Sequence, residues 1–326
     1  MQLTDTHCHI QAADYPLDVS EVEARAAQAG VTRLICVGYD VESSRRAIEF
    51  VQNRPNAWAS VGLHPHEAKT GESEYEKLAD LIKSPRVPSS PFPAKLRQLA
   101  SRELAREPSE TTPAAGASSK SSSSTPAEAA ATLSSRAVRE ALSEHDEMGG
   151  AARGTDSSKI VAIGECGLDY FYSHSDKQDQ EKALRFQIEL ALEYDLPLIF
   201  HVRDAFDDFW PILDSYPTVR GVLHSFTDTQ ANLEKALQRG LYVGVNGIVT
   251  FTKLQWQLDA IAAVPLERLL LETDAPFLTP KPLRGRVNEP AHIELIAKFV
   301  SDLRHVSLHE LANATTANAL HLFSIS

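Results

Sequence analysis

The chain has 326 residues, 43% of them hydrophobic, enough for a full core in one large domain or two ordinary ones. No apolar run approaches the roughly 20 residues of a membrane span, and the acidic, polar N-terminus lacks a signal-peptide pattern, so neither a membrane nor a secreted setting is expected. A net charge of −12 has the wrong sign for gripping long duplexes with a basic face, and three cysteines (Cys8, Cys36, Cys166) without C-x-x-C spacing point to reduced thiols in a cytoplasmic protein.

The first element is "LTDTHCHI", an apolar strand start in which His7 and His9 are two apart. Side chains at i and i+2 of a strand share a side, so the two imidazoles would be presented together. A helical stretch, "SEVEARAAQAG", follows and closes at Gly30; "RLICVG" and "WASVGLH" are the next strands, the latter leading into His64 and His66. From Ser84 to Ser158 the composition changes to Ser, Ala, Pro and Glu, with nine basic and nine acidic residues and few β-branched ones. Such a segment buries too little apolar surface to offset chain entropy, so a largely disordered insert is expected between the third helix and the fourth strand. Within it, "AKLRQLASRELARE" and "SSRAVREALSEHDEM" carry weak helical periodicity.

The rhythm then resumes with "KIVAIGE", the helix "DKQDQEKALRFQIELALEY", and the strands "LPLIFH", "RGVLHSF", "LYVGVNG" and "RLLLETD". Continuous apolar strands alternating with helices indicate a parallel sheet covered on its outer side. Eight units in about 250 residues outside the insert fit a single (β/α)8 TIM-type barrel better than a doubly wound open sheet. The expected organisation is one barrel over 1–326, interrupted by 84–158.

Six of the 12 histidines fall at strand C-terminal ends: His7 and His9, His64 and His66, His201, and His224. Glu165 is read as ending the fourth strand and Asp274 the eighth. In a barrel these ends converge on one mouth, where active sites lie. Singly, each histidine is most simply a hydrogen-bonded rim residue, and Asp274 a turn cap. Together, several imidazoles and two carboxylates in one cup would repel and desolvate one another unless a cation compensated. A mixed histidine and carboxylate set suits Zn²⁺, Mn²⁺ or a similar divalent ion.

In order, "DTHCH", "GLHPH", "AIGECGLDY", "HVRDA", "HSF" and "ETDAPFL" with "RGRVNEP" resemble the motifs of TatD-type metal-dependent deoxyribonucleases, within the amidohydrolase-like metal-dependent hydrolases. The resemblance covers the chain outside the insert. It implies a barrel hydrolase with one or two divalent ions (Mg²⁺, Mn²⁺ or Zn²⁺) that cleaves phosphodiester bonds, often from a 3′ end, with DNA or RNA ends as substrate and no obligate protein partner. Carried over residue by residue, His7, His9, Glu165 and Asp274 would hold one ion, and Glu165, His201 and His224 a second, with Glu165 bridging. Two such ions activate water and polarise the phosphate. That leaves Asp274 as the general base, with Glu165 the other catalytic carboxylate.

Substrate contacts are expected from His64, Arg203 and the basic loop Lys281, Arg284 and Arg286, since loops after the last strands are a usual phosphate site in such barrels. His66, Asp169 and Asn288 are expected to orient ligands or loops. The aromatic run "LDYFY" could stack on a terminal base. Three rivals stand beside the nuclease: a related barrel hydrolase of amides or nucleobases, an esterase or deacylase on a nucleic acid, and a non-catalytic binding scaffold. Many of the first group bridge their metals with a carboxylated lysine, where this chain has Glu165.

Overall fold

The computed structural model describes residues 1–83, 159–216 and 218–326. The disorder and the two weak helices expected in 84–158 lie outside the described residues.

Eight parallel strands form one sheet in sequence order: β1 (Leu3–Cys8), β2 (Val31–Val37), β3 (Ala57–Val61), β4 (Ile160–Asp169), β5 (Leu198–Arg203), β6 (Gly221–Leu223), β7 (Tyr242–Val245) and β8 (Leu269–Leu271). The sheet curls until its ends meet. Cys8 bridges Ala275, the His9 amide donates to the Ala275 carbonyl at 2.7 Å, and the Asp274 amide donates to the His7 carbonyl at 2.8 Å. That contact decides for a barrel over an open sheet.

A helix follows each strand: α1 (Val19–Gln28), α2 (Val41–Val51), α3 (Glu72–Ile82), α4 (Lys177–Tyr194), α5 (Phe206–Asp214), α6 (Gln230–Gln238), α7 (Gln255–Ala263) and α8 (Ile293–Arg304), with α9 (Leu308–Phe323) as an addition. Local sequence explains their ends. Asp18 caps α1 by accepting from the Glu21 amide, Val22 and Ala26 bury one stripe, and Gly30 leaves in the left-handed region at φ 82°. Asp40 and Ser43 cap α2 reciprocally.

The helices and the outer strand faces share one core. A second lies inside the barrel, where Ile35, Trp58, Ile199, Val222, Tyr242 and Leu270 pack against Leu322 and Phe323 of α9. Burying each of those two α9 side chains is worth about 1.5–3 kcal/mol, so α9 acts as a stopper at the bottom of the barrel.

Two irregularities serve the mouth. Between Asp5 and Cys8, β1 advances three residues while β2 advances two, and between Ile163 and Cys166, β4 does the same against β5. Bulges of this kind re-aim side chains. They fall at His7 and at Glu165.

The described residues on either side of 84–158, the end of α3 and the start of β4, lie at the end of the barrel opposite the mouth. Replacing 84–158 with a short Gly/Ser linker should therefore leave bound metal and turnover nearly unchanged and shift thermal unfolding little. A folded variant lacking most of its activity would show that the segment serves the site.

Candidate metal centre

Six side chains from five strand ends meet at the mouth. His7 is within β1 and His9 follows it; His201 is on β5. Strands β6 and β8 are only three residues long, so His224 and Asp274 stand in the loops beyond them. Glu165 does not end its strand: β4 continues to Asp169, because Cys166 to Asp169 pair with Phe200 to Arg203 of β5, and the bulge turns Glu165 inward mid-strand. Asp274 is held at φ 57°, a left-handed conformation that costs energy for a non-glycine residue and clusters at functional sites.

The two oxygens of Glu165 face different partners. Oε2 lies 3.3 Å from His7 Nε2 and 3.9 Å from His9 Nε2. Asp274 Oδ1 completes that side, 3.7 Å from His7 Nε2 and 3.5 Å from His9 Nε2. Oε1 lies 2.9 Å from His201 Nδ1, 3.0 Å from His224 Nε2 and 3.5 Å from His64 Nε2. Three overlapping triads have ligand atoms close enough for one ion: His7–His9–Asp274, His7–Glu165–His224 and His64–Glu165–His201.

Proton positions follow from the partners behind the rings. His9 Nδ1 donates to the Val37 carbonyl at 2.9 Å, and His201 Nε2 donates to Asp169 Oδ2 at 2.9 Å. Each ring therefore presents a lone pair to the centre from its other nitrogen. His7 Nε2 and His9 Nε2 are 3.1 Å apart. His201 Nδ1 and Glu165 Oε1, both acceptors, face each other at 2.9 Å, which is repulsive unless positive charge sits among them. The electrostatics agree. Burial alone would depress His224, but Glu165 and Glu272 outweigh it and raise it well above its usual value. Burial alone would raise Glu165, but His224, His64 and His7 outweigh it and hold it well below the carboxylate range. Without metal the cluster recruits protons; divalent cations fit the same donors.

His64 differs. Its Nδ1 accepts from the His66 amide at 3.1 Å, so the neutral ring carries its proton on Nε2, the atom turned towards Glu165. Burial pushes its pKa down to about 4, which keeps it neutral near pH 7. That makes it a hydrogen-bond donor into the site and disfavours the third triad.

The residues expected to orient ligands or loops make the following contacts. Asp169 joins His201 to His66, whose Nε2 donates to Oδ2 at 3.2 Å. Asn288 donates to the Thr273 and Phe277 carbonyls at 2.8 and 2.6 Å, fixing the turn that carries Asp274. The Arg203 guanidinium lies 4.0 Å from the Phe171 ring centroid and 4.8 Å from that of Tyr172. Arg284 stacks 3.9 Å over Phe251 and donates to the Thr279 carbonyl. Lys281 and Arg286 are exposed. Among the described residues no hydrogen bond or ion pair joins Lys281, Arg284 or Arg286 to the histidine cluster.

Three supporting residues escape the sequence reading. Glu272, 1% exposed, accepts from the Ser225 amide at 2.5 Å and lies 3.3 Å from His224 Nδ1, an ion-pair contact behind that ring. A Cβ at Gly244 would collide with its carboxylate. Gln180 and Gln187 are buried on α4: Gln180 bonds both the amide and the carbonyl of Asp169, and Gln187 does the same to Leu63, next to His64. The signals for them were a glutamate inside "LLLETD" and two amides seven apart on an apolar helix face.

The family model described as TatD related DNase matches residues 4–89 and 97–324. The chain is 30% identical over 326 residues to the uncharacterised metal-dependent hydrolase YabD of Bacillus subtilis, covering 99% of this chain and 100% of that one. It is 30% identical over 330 residues to the 3′-5′ ssDNA/RNA exonuclease TatD of Citrobacter rodentium, covering 99% and 98%. The crystal structure of YJJV, a TatD homologue from Escherichia coli K12, superposes with a TM-score of 0.70 at 26% identity, covering 99% of this chain and 98% of that one.

Proposed function

Because the chain belongs to the family of TatD related DNases, we propose that it is a metal-dependent nuclease hydrolysing phosphodiester bonds in DNA, as a 3′-5′ exonuclease on single strands. The observation that carries the reading is Glu165, whose two oxygens face separate sets of imidazoles as a bridge between two divalent ions would. A relative named for 3′-5′ exonuclease action on single-stranded DNA and RNA supports the substrate class and polarity. The three free cysteines are all buried, in keeping with a cytoplasmic enzyme.

His7, His9, Glu165 and Asp274 would hold one ion, and Glu165, His201 and His224 the other. When bound, such ions (Mg²⁺, Mn²⁺ or Zn²⁺) supply Lewis-acid charge for the phosphoryl oxygens and lower the pKa of water. Burial would raise the Asp274 carboxyl, but the surrounding His9, His7 and His224, which favour its charged form, outweigh it and hold it below its usual value. Asp274 therefore stays ionised and accepts the proton of the attacking water on a carboxylate oxygen. His64 donates from Nε2 to a phosphoryl oxygen. Asp169 and Glu272 hold the His201 and His224 rings from behind.

Arg203, Lys281, Arg284 and Arg286 supply countercharge along the strand. Arg286→Glu should raise KM for an oligonucleotide several-fold and flatten its dependence on salt, because fewer counterions are released on binding. Metal content should not change. Equal KM with an unchanged salt slope would make the loop an ordinary solvated surface.

The deciding experiment incubates metal-stripped protein with 5′-labelled single-stranded DNA, RNA and a model carboxylic ester across Mg²⁺, Mn²⁺ and Zn²⁺. The expected result is a metal-dependent ladder of DNA shortened from its 3′ end. Ester turnover without cleavage of either nucleic acid would transfer the site to a deacylase.

A further inference from the structure

Beside the metal centre lies a pocket of about 270 Å³ over the mouth ends of β5 and β6, walled on one side by the start of α7. Its apolar lining includes Phe206, Leu223 and Phe226, and His224 belongs both to this lining and to the metal cluster. Phe171 and Trp256, 56% and 46% exposed, also line it. Large rings left open to water beside a cavity mark a place where something covers them.

Contacts among the lining residues hold the walls of the pocket in place. Arg203 holds the Phe171 ring from 4.0 Å. Gln257, next to Trp256, accepts from Thr252 Oγ1 at 2.5 Å and donates to the Thr227 carbonyl at 2.9 Å, which ties the start of α7 to the loop after β6.

Charge says which part of a nucleotide enters. Asp204 and Asp228 are in the lining with one cation, Arg203, whose guanidinium lies over the Phe171 ring, so the formal charge of the lining is negative. Two carboxylates repel a phosphodiester but accept hydrogen bonds from the N–H groups of a neutral base. The volume lies just under the range of about 300–1,000 Å³ for small-molecule sites, enough for one nucleoside and not a run of them. A strand whose base sits on the pocket side of His224 brings its phosphate to the other side, where Glu165 lies 3.0 Å from that ring.

We propose that this pocket binds the terminal nucleobase of the substrate strand, with Trp256 as its stacking residue and the determinant that makes recognition depend on the base. The proposal rests on the nuclease reading for its substrate class, and the binding test stands apart from turnover.

The chain has three tryptophans, of which Trp58 and Trp210 are buried at 6% and 4% exposure, so Trp256 is the one placed to report occupancy. The metal-loaded full chain is titrated with deoxycytidine 5′-monophosphate and with deoxyribose 5-phosphate, following tryptophan fluorescence. Saturable change is expected with the nucleotide alone, and Trp256→Phe should abolish it. In turnover, Trp256→Ala should raise KM roughly 10–100-fold for an oligonucleotide with an intact terminal base, the weight of one stacked base. The loss on the same strand ending in an abasic residue should be much smaller, since no base is left to stack, and metal content should match that of the unaltered protein.

Equal fluorescence change with both ligands, or equal loss on both oligonucleotides, would overturn the pocket assignment. A flat titration in a protein that cleaves DNA would overturn it while sparing the nuclease reading. Nucleotide-specific saturation in a protein that cleaves nothing would support the pocket and end the nuclease reading.

Discussion

Glu165→Gln should remove at least about half of the bound metal and lower nuclease activity roughly 10²–10³-fold, the several kcal/mol that an ion contributes to transition-state charge. The substitution keeps side-chain size and one carbonyl oxygen, but it removes the charge that would let two cations share the proposed bridge. It also replaces one acceptor by an amide that donates. Oε1 is ringed by His201 at 2.9 Å and His224 at 3.0 Å, while Oε2 faces His7 at 3.3 Å. Whichever way the amide turns, its N–H₂ points at a nitrogen that would otherwise bind metal. The fold should survive, since Glu165 is positioned by a backbone bulge rather than by packing of its side chain. Elemental analysis, circular dichroism and cleavage of one labelled oligonucleotide read the three effects separately. Full metal content at the wild-type rate would remove Glu165 from the bridge.

The centre was legible in the sequence because barrel topology converts strand order into proximity. Once strands were assigned to "LTDTHCH" and "RLLLETD", His7 and Asp274 had to share a mouth although 267 positions separate them. Asp274 Oδ1 is indeed 3.7 Å from His7 Nε2. The period-2 argument for His7 and His9 also holds, although β1 carries a bulge there that no composition rule announces.

Less legible was anything that depends on where a strand stops. Glu165 reads as a strand end because "KIVAIGE" gives way to glycine, yet Gly167 continues β4 at φ 150°, pressed against the His201 carbonyl. The ladder partners on β5 decide this, and they lie 34 residues further along the chain, Gly167 opposite His201. The buried glutamines of α4 were hidden for a related reason. Their periodicity is that of the apolar face shared with Leu184, Ile188 and Ala191, and only tertiary contact shows that their amides grip Asp169 and Leu63. His64 shows a third kind of gap. The sequence offers it as a substrate contact, but only the direction of one backbone N–H shows that its neutral ring carries the proton on Nε2.

Asp274→Asn should separate chemistry from assembly, retaining most of the metal while kcat falls on the order of 10²–10⁴-fold, the usual weight of a general base. Asparagine is the right replacement for a backbone reason as well as a chemical one. Asp274 sits at φ 57°, its amide donates to the His7 carbonyl at 2.8 Å, and its carbonyl accepts from the Phe277 amide at 2.8 Å. Among non-glycine residues Asn and Asp tolerate this conformation best, so Asn keeps the turn where Ala would strain it. The amide oxygen can still face His7 and His9 as Oδ1 does now, which preserves a ligand atom. What disappears is the negative charge and the basic oxygen that, in the proposed mechanism, takes up the proton of water. Loss should therefore appear in kcat, with KM for the oligonucleotide little changed, because Arg203 and the Lys281–Arg286 loop remain. Together with Glu165→Gln the variant forms a contrast: one carboxylate whose loss removes metal and rate together, and one whose loss removes rate alone. Asp274→Asn within about threefold of the wild-type rate at full metal content would place the base elsewhere. A parallel fall of metal and rate would reduce Asp274 to a ligand. If both variants cleaved as the unaltered protein does, the cleavage would come from outside this cluster, and a binding scaffold would become the better account of the barrel.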